Sequence, residues 1–121
     1  MTAKILVIDD EKSIGELIQL ALKPRGYQVQ YSTTGAGGIE AFRQFRPDLA
    51  LVDLSMPDMD GLEVARRLKE SDSGRNMPII LMTGRVVEGQ EMSSGLFAEK
   101  LEKPFNMATL GSTVDKYLGK C

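Results

Sequence analysis

The sequence contains no histidine and a single cysteine, Cys121, at its last position. Without histidine, imidazole-based zinc binding, histidine general-base catalysis and a Ser-His-Asp triad are excluded. One cysteine excludes an internal disulfide and a cysteine-built metal site. An excess of one charge is also lacking: the formal net charge is -2, which gives no default attraction to nucleic acid or to a membrane surface. No hydrophobic run is long. The first, Ile5 to Ile8, is ended by Asp9 after four residues, too short for a signal-peptide core or a membrane helix. These absences predict a soluble cytoplasmic chain that binds neither nucleic acid nor membrane.

What remains is ordinary in bulk and specific in detail. Apolar residues make up 42% and charged residues 26% of 121 residues, which suits one globular domain burying roughly 65% of its unfolded surface. Strand-like and helix-like segments alternate. Lys4 to Ile8 reads as a strand buried on both faces. Ser13 with Glu16 reads as a capping box, opening a helix with Ile14, Leu17, Ile18, Ala21 and Leu22 on one face and stopped by Pro24 and Gly26. Tyr27, Val29 and Tyr31 alternate with glutamines, as in a strand nearer the sheet edge. A helix over Ala36 to Phe45 is expected to start weakly because of Gly37 and Gly38. Strands ending at Asp53, at Met82 and at Glu102 follow, with helices from about Leu62 to Glu70 and Asn106 to Leu118. Arg85 to Phe97 carries Val87, Met92, Leu96 and Phe97 as candidate inward residues, diluted by glycine and serine. Alternation of this kind predicts five βα units around a parallel sheet.

The strand ends carry the chemistry. Asp9-Asp10 closes the first apolar run, Asp53 the run Leu49 to Val52, Thr83 the run Ile79 to Met82, and Lys103 the segment Ala98 to Glu102. In a parallel α/β sheet, groups at the carboxyl ends of neighbouring strands converge on one crevice. Three carboxylates, a hydroxyl and an amine gathered there describe a site for a divalent cation and a phosphoryl group. Each residue has a plainer reading: Asp53 as a strand-end cap, Asp9-Asp10 as charge favoured by a helix dipole, Lys103 as a solvated surface amine. None of these explains all five together.

Asp9-Asp10, Asp53, Met56-Pro57-x-x-x-Gly61, Thr83 and Lys103-Pro104-Phe105, taken in order, resemble the receiver (response regulator) domain of two-component signalling over essentially the whole chain. The resemblance implies a flavodoxin-like (βα)5 three-layer sandwich with a five-stranded parallel sheet of order 2-1-3-4-5. It implies phosphorylation of Asp53 by a histidine kinase or histidine phosphotransfer protein, whose histidine supplies what this chain lacks. It further implies Mg²⁺, for which Mn²⁺ could substitute, bound by Asp10, Asp53 and the backbone carbonyl of Ser55, with Asp9 acting largely through water. Thr83 and Lys103 would contact the phosphoryl group, small Gly84 would leave room for the donor, Gly61 would supply backbone freedom after Asp53, and a cis bond to Pro104 would aim the lysine.

Residues 1–121 are expected to form a single receiver domain, either a stand-alone regulator or one excised from a longer chain, acting as a monomer or weak dimer on a downstream effector or output domain. The expected function is Mg²⁺-dependent phosphoacceptance that shifts the face built by the fourth helical segment, the fifth strand and the last helix. The alternative is a phosphorylation-independent binding module of the same fold. A separate turnover enzyme is not expected: aspartate-dependent phosphatases place a second acid two residues after the nucleophile, where Ser55 stands. Receiver domains usually carry an aromatic ring or histidine three residues before the active-site lysine. Lys100 occupies that position, on the strand face opposite Leu101, and reads as a solvated edge charge, with direct contact to a partner as the alternative. Three clustered acids repel one another and raise at least one pKa. Millimolar Mg²⁺ is therefore expected to raise the melting temperature, and Asp10→Asn to stabilise the protein in EDTA. Equal melting temperatures with and without the cation would count against the site.

Overall fold

The computed structural model describes residues 2–71, 73–84 and 95–119. Three apolar runs form the centre of a sheet: β1 (Lys4–Ile8), β3 (Leu49–Asp53) and β4 (Ile79–Thr83). Every residue of β3 and β4 is buried, which explains why these strands lack polar alternation. The half-exposed strands β2 (Gln28–Ser32) and β5 (Glu99–Glu102) form the edges. All pairs are parallel, as the alternation predicts, and the order is β2-β1-β3-β4-β5, the flavodoxin-like arrangement that the resemblance implies. The chain leaves β1 for β2 on one side and then crosses back over β1 to β3. That reversal opens a crevice beyond the carboxyl ends of β1 and β3.

Four helices are present among the described residues: α1 (Lys12–Leu22), α2 (Gly35–Phe45), α3 (Gly61–Glu70) and α4 (Met107–Tyr117). Strand alternation divides the core into two halves. Leu6, Ile8, Ala50, Val52, Ile79 and Leu81 point to one side, where Phe42 of α2 and Val64, Ala65 and Leu68 of α3 cover them. Ile5, Val7, Leu49, Leu51, Ile80 and Met82 point to the other, under Ile18 and Leu22 of α1 and Leu110 and Val114 of α4. The last helix is further fastened through Lys116 and Tyr117, which reach Glu99 at 2.8 Å each, and through Asp115. Asp115 pairs with Arg25 at 2.6 Å and accepts the hydroxyl of buried Tyr27, while the Arg25 guanidinium lies across Gly111.

Several local expectations change. The capping box at Ser13 does not form: α1 begins two residues earlier than that cap requires, Glu11 precedes it without a side-chain cap, and Glu16 instead faces Lys12 at 3.6 Å. The start of α1 is organised from upstream, by Asp9 Oδ1 accepting the Glu11 N–H at 2.9 Å. Leu17 is 45% exposed, so the apolar face of α1 is narrower than its spacing suggests. Helix α2 begins at Gly35, with Thr34 accepting the Gly37 N–H, and Arg46 in the left-handed region ends it ahead of Pro47. A Cβ on Gly38 would lie 2.5 Å from Ile8, so that glycine lets α2 settle on β1. Leu96 and Phe97 do pack inward, against the side covered by α2 and α3. Val87 and Met92 lie outside the described residues.

Gly61 serves close approach, and backbone freedom is not what the position demands. It is not among the positive-φ residues; a Cβ there would lie 2.3 Å from the Asp53 carbonyl oxygen and 2.7 Å from the Leu54 Cα. Neither backbone atom can give way as a flexible side chain would. Alanine is the better helix former by about 1 kcal/mol, but overpacking costs about 1–3 kcal/mol or more. Gly61→Ala is expected to lower the unfolding free energy by about 2 kcal/mol, seen as a lower urea midpoint at unchanged slope.

Candidate active site

Backbone hydrogen bonds hold the strand ends level. The Asp9 N–H donates to the Ser32 carbonyl at 3.1 Å, the Leu54 N–H to Met82 at 3.2 Å, and the Lys103 N–H to Thr83 at 2.8 Å. Side chains that begin 94 positions apart in the chain therefore open onto one crevice. Asp9, Asp10 and Asp53 each offer a carboxylate oxygen, and the three oxygens lie within 4.8 Å of one another. Lys103 Nζ stands 2.7 Å from Asp9 Oδ2 and 3.7 Å from Asp53 Oδ1. Asp9 and Asp53 are 1% and 5% exposed, and Thr83 is buried beside them; Asp10 is exposed.

Burial of like charges has a calculable effect. Desolvation, then the neighbouring Asp9 charge, pushes the Asp53 carboxyl up to about 6; the Lys103 ammonium and the Ser55 backbone amide oppose that rise, and Asp10 adds to it. Burial works against the charge on Lys103, but its hydrogen bond to Asp9 and the charges of Asp9, Asp53 and Glu11 outweigh that and hold its pKa above the ordinary value. The donor set is all oxygen, with carboxylates outnumbering the one ammonium beside them, which is the environment that a hard divalent cation satisfies.

The other expected residues are distributed around this centre. Ser55 and Pro57 lie exposed on the loop between β3 and α3, with the Ser55 amide donating to the Asp53 carboxylate. Gly84 is exposed next to Thr83, and the nearest atom to a Cβ there would be Lys103 Cβ at 3.9 Å, so space is open. The Lys103-Pro104 peptide is cis. Lys100 is not part of the crevice: it is exposed and pairs with Glu102 at 3.2 Å, two residues along the same strand.

Two acids of this region escape a reading of the sequence. Glu11 approaches Lys103 Nζ at 3.8 Å; its only sequence signal is that it extends the acidic pair by one. Asp58 accepts the N–H groups of Gly35 at 2.8 Å and Ala36 at 3.0 Å, and these bonds, Ala36 first, hold its carboxyl below the usual range. A turn-rich loop explains an aspartate there equally well, and its partners lie more than twenty residues upstream.

The fold and this crevice define a class. The response regulator receiver domain family matches residues 5–115. The polar-differentiation response regulator DivK of Brucella anthropi is 28% identical over 98% of each chain. The structure of the chemotaxis response regulator CheY4 of Vibrio cholerae superposes with a TM-score of 0.90 at 28% identity, covering 97% of this chain and 99% of that one. The receiver domain of the sensor histidine kinase PA1611 of Pseudomonas aeruginosa PAO1, solved with a magnesium ion coordinated in its active-site cleft, superposes with a TM-score of 0.87 at 25% identity, over 99% and 100%. The chain spans about half the length of two further curated relatives. This chain belongs to the response regulator receiver domain family of two-component signalling. No helix among the described residues is long and apolar enough to cross a membrane.

The raised Asp53 pKa fixes the sign of a pH dependence. Between the unfolded value of 3.8 and about 6 the folded state holds more protons than the unfolded chain, so this group's contribution to stability falls as pH rises through that window. In EDTA, Asp53→Asn is expected to gain about 1–3 kcal/mol over wild type at pH 7, and the gain should vanish near pH 4. Urea unfolding of both proteins across that range measures it.

Proposed function

We propose that Asp53 is the phosphoacceptor of a signalling cycle and that Asp9, Asp10, Thr83 and Lys103 assist it. The observation that carries this reading is the meeting of three carboxylates within 4.8 Å beside the Lys103 ammonium, at the ends of buried strands. With its pKa near 6, Asp53 is largely ionised at neutral pH and available as a nucleophile. A carboxylate oxygen attacks the phosphorus of a partner's phosphohistidine. An O–P bond forms, the P–N bond breaks, and the imidazole leaves with the electron pair and takes up a proton. Asp53 then carries an acyl phosphate. Hydrolysis reverses the state: water attacks phosphorus, and the carboxylate departs with inorganic phosphate as the other product.

Asp10, Asp53 and the Ser55 carbonyl would hold Mg²⁺ or Mn²⁺, with Asp9 reaching it through water. When bound, the cation would neutralise charge on the transferring oxygens. Lys103 shifts from Asp9 towards the new phosphoryl oxygens, and the Thr83 hydroxyl donates to one of them. Both residues stand at the ends of β4 and β5, so roughly two added negative charges bias the face carrying β5 and α4. That face meets a downstream effector or an output domain. The phosphoryl donor is a histidine kinase or a histidine phosphotransfer protein, and no separate turnover substrate is involved. Lys100, paired outward with Glu102, takes no part in the crevice.

Intact-mass spectrometry after incubation with acetyl phosphate tests this directly. A phosphate-sized gain that requires both Mg²⁺ and Asp53, and is absent in Asp53→Ala, is expected. No gain under conditions that phosphorylate a control receiver would replace this reading with a phosphorylation-independent binding module.

A further inference from the structure

The loop from Leu54 to Asp60 carries Ser55, and its position relative to Asp9 and Asp10 as well as Asp53 has to be fixed. Its two ends are anchored close to the sheet, by the Leu54 N–H on Met82 and the Gly61 N–H on Leu54 at 2.9 Å. Near its far end Asp60 serves its own helix, accepting the Leu62 N–H at 2.7 Å. The Ser55 amide donates to the Asp53 carboxylate; beyond Ser55, among the described residues, the hydrogen bonds that tie the middle of this loop to another element both end on Asp58, which reaches the first two residues of α2. The fit between the two elements is close. A Cβ on Gly35 would lie 2.9 Å from Met59 Cβ and 3.4 Å from Asp58 Oδ1.

This link does more than cap a helix. Helix α2 already has a local cap in Thr34, which takes the Gly37 N–H at 3.0 Å. The Ala36 amide is exposed and water could satisfy it at little cost, but Gly35 is buried against the loop, so its amide needs a partner from the protein. A carboxylate from a separate loop takes both, and both bonds are charge-assisted. Helix α2 is itself seated on β1 through Gly38 and Ile8. The loop is thus referenced to β1, the strand that delivers Asp9 and Asp10, as well as to β3, which delivers Asp53.

We propose that Asp58 is a positioning residue for the cation site: by bridging the loop to the start of α2, it holds the Ser55 backbone in register with Asp9, Asp10 and Asp53. This inference rests on the cation-dependent reading of the site given above. Groups that orient a metal's ligands from outside the coordination shell typically contribute 10–100-fold to affinity. Asp58 acts through the backbone of a loop, so the lower end applies. Asp58→Ala is expected to raise the Mg²⁺ dissociation constant about tenfold. Asp58→Asn keeps a carbonyl acceptor for one of the two amides and should fall between that variant and wild type.

The test is calorimetric titration of the whole chain with magnesium chloride for wild type, Asp58→Ala, Asp58→Asn and Thr34→Ala. Phosphorylation by acetyl phosphate is followed across the same Mg²⁺ range. Weaker Mg²⁺ binding in the Asp58 variants, with the phosphorylation rate recovering at saturating Mg²⁺, supports the inference. Thr34→Ala weakens the cap of the same helix without touching the loop, so it should lower the melting temperature and leave Mg²⁺ affinity within twofold of wild type. If Thr34→Ala loses affinity as Asp58→Ala does, the effect belongs to the stability of α2 and the inference fails. It fails alone if wild type binds Mg²⁺ and both Asp58 variants bind equally well. Absence of saturable Mg²⁺ binding by wild type would instead overturn the site itself. Should Asp58→Ala not fold, Asp58→Asn against Thr34→Ala decides the matter.

Discussion

The contact between Lys103 Nζ and Asp9 Oδ2, 2.7 Å apart with Asp9 almost wholly buried, is the interaction on which the site depends. A buried carboxylate without a partner is strongly destabilising, and a second one, Asp53, stands beside it. The ammonium is shared among Asp9, Asp53 and Glu11, so no one acid is fully neutralised. Burial first, and then the unbalanced Asp9 charge, leave Asp53 with a raised pKa, and net negative charge remains in the crevice. Buried like charges of this kind are costly to fold, and they are also what a hard divalent cation would offset.

The strand ends were the legible part of this protein, because a buried parallel strand announces itself as an uninterrupted apolar run. Ile5–Ile8, Leu49–Val52 and Ile79–Met82 each stop at a polar residue, and the sheet register brings those residues together. The helix starts were less legible. Ser13 and Glu16 satisfy the pattern of a capping box, yet the helix begins before them, since Asp9 already organises the preceding turn. Leu17 follows helical apolar spacing and is nonetheless half-exposed, because spacing says nothing about how much of a helix its neighbours cover. Asp58 was illegible for a further reason. Its partners are backbone amides, which leave no trace in residue identity.

Glycine illustrates the same limit from another direction. Gly61 and Gly38 both read as conformational concessions, a loop needing freedom and a helix starting weakly. The structure gives each a steric reason: Gly61 meets backbone atoms of Asp53 and Leu54, and Gly38 meets Ile8. In both cases the absent side chain lets an element approach a strand that carries a site residue. Packing distance, which no local propensity encodes, decides these positions.

The outward pair Lys100–Glu102 has a consequence for the protein's colloidal behaviour. Strand β5 forms one border of an open sheet, and such a border can template the addition of a strand from another molecule. Its exposed positions are charged, so a second strand laid alongside would have to strip water from lysine and glutamate to pair. The opposite border, β2, shows exposed Gln28 and Gln30, which carry no such electrostatic barrier. The sheet is guarded against self-association more strongly at one margin than at the other.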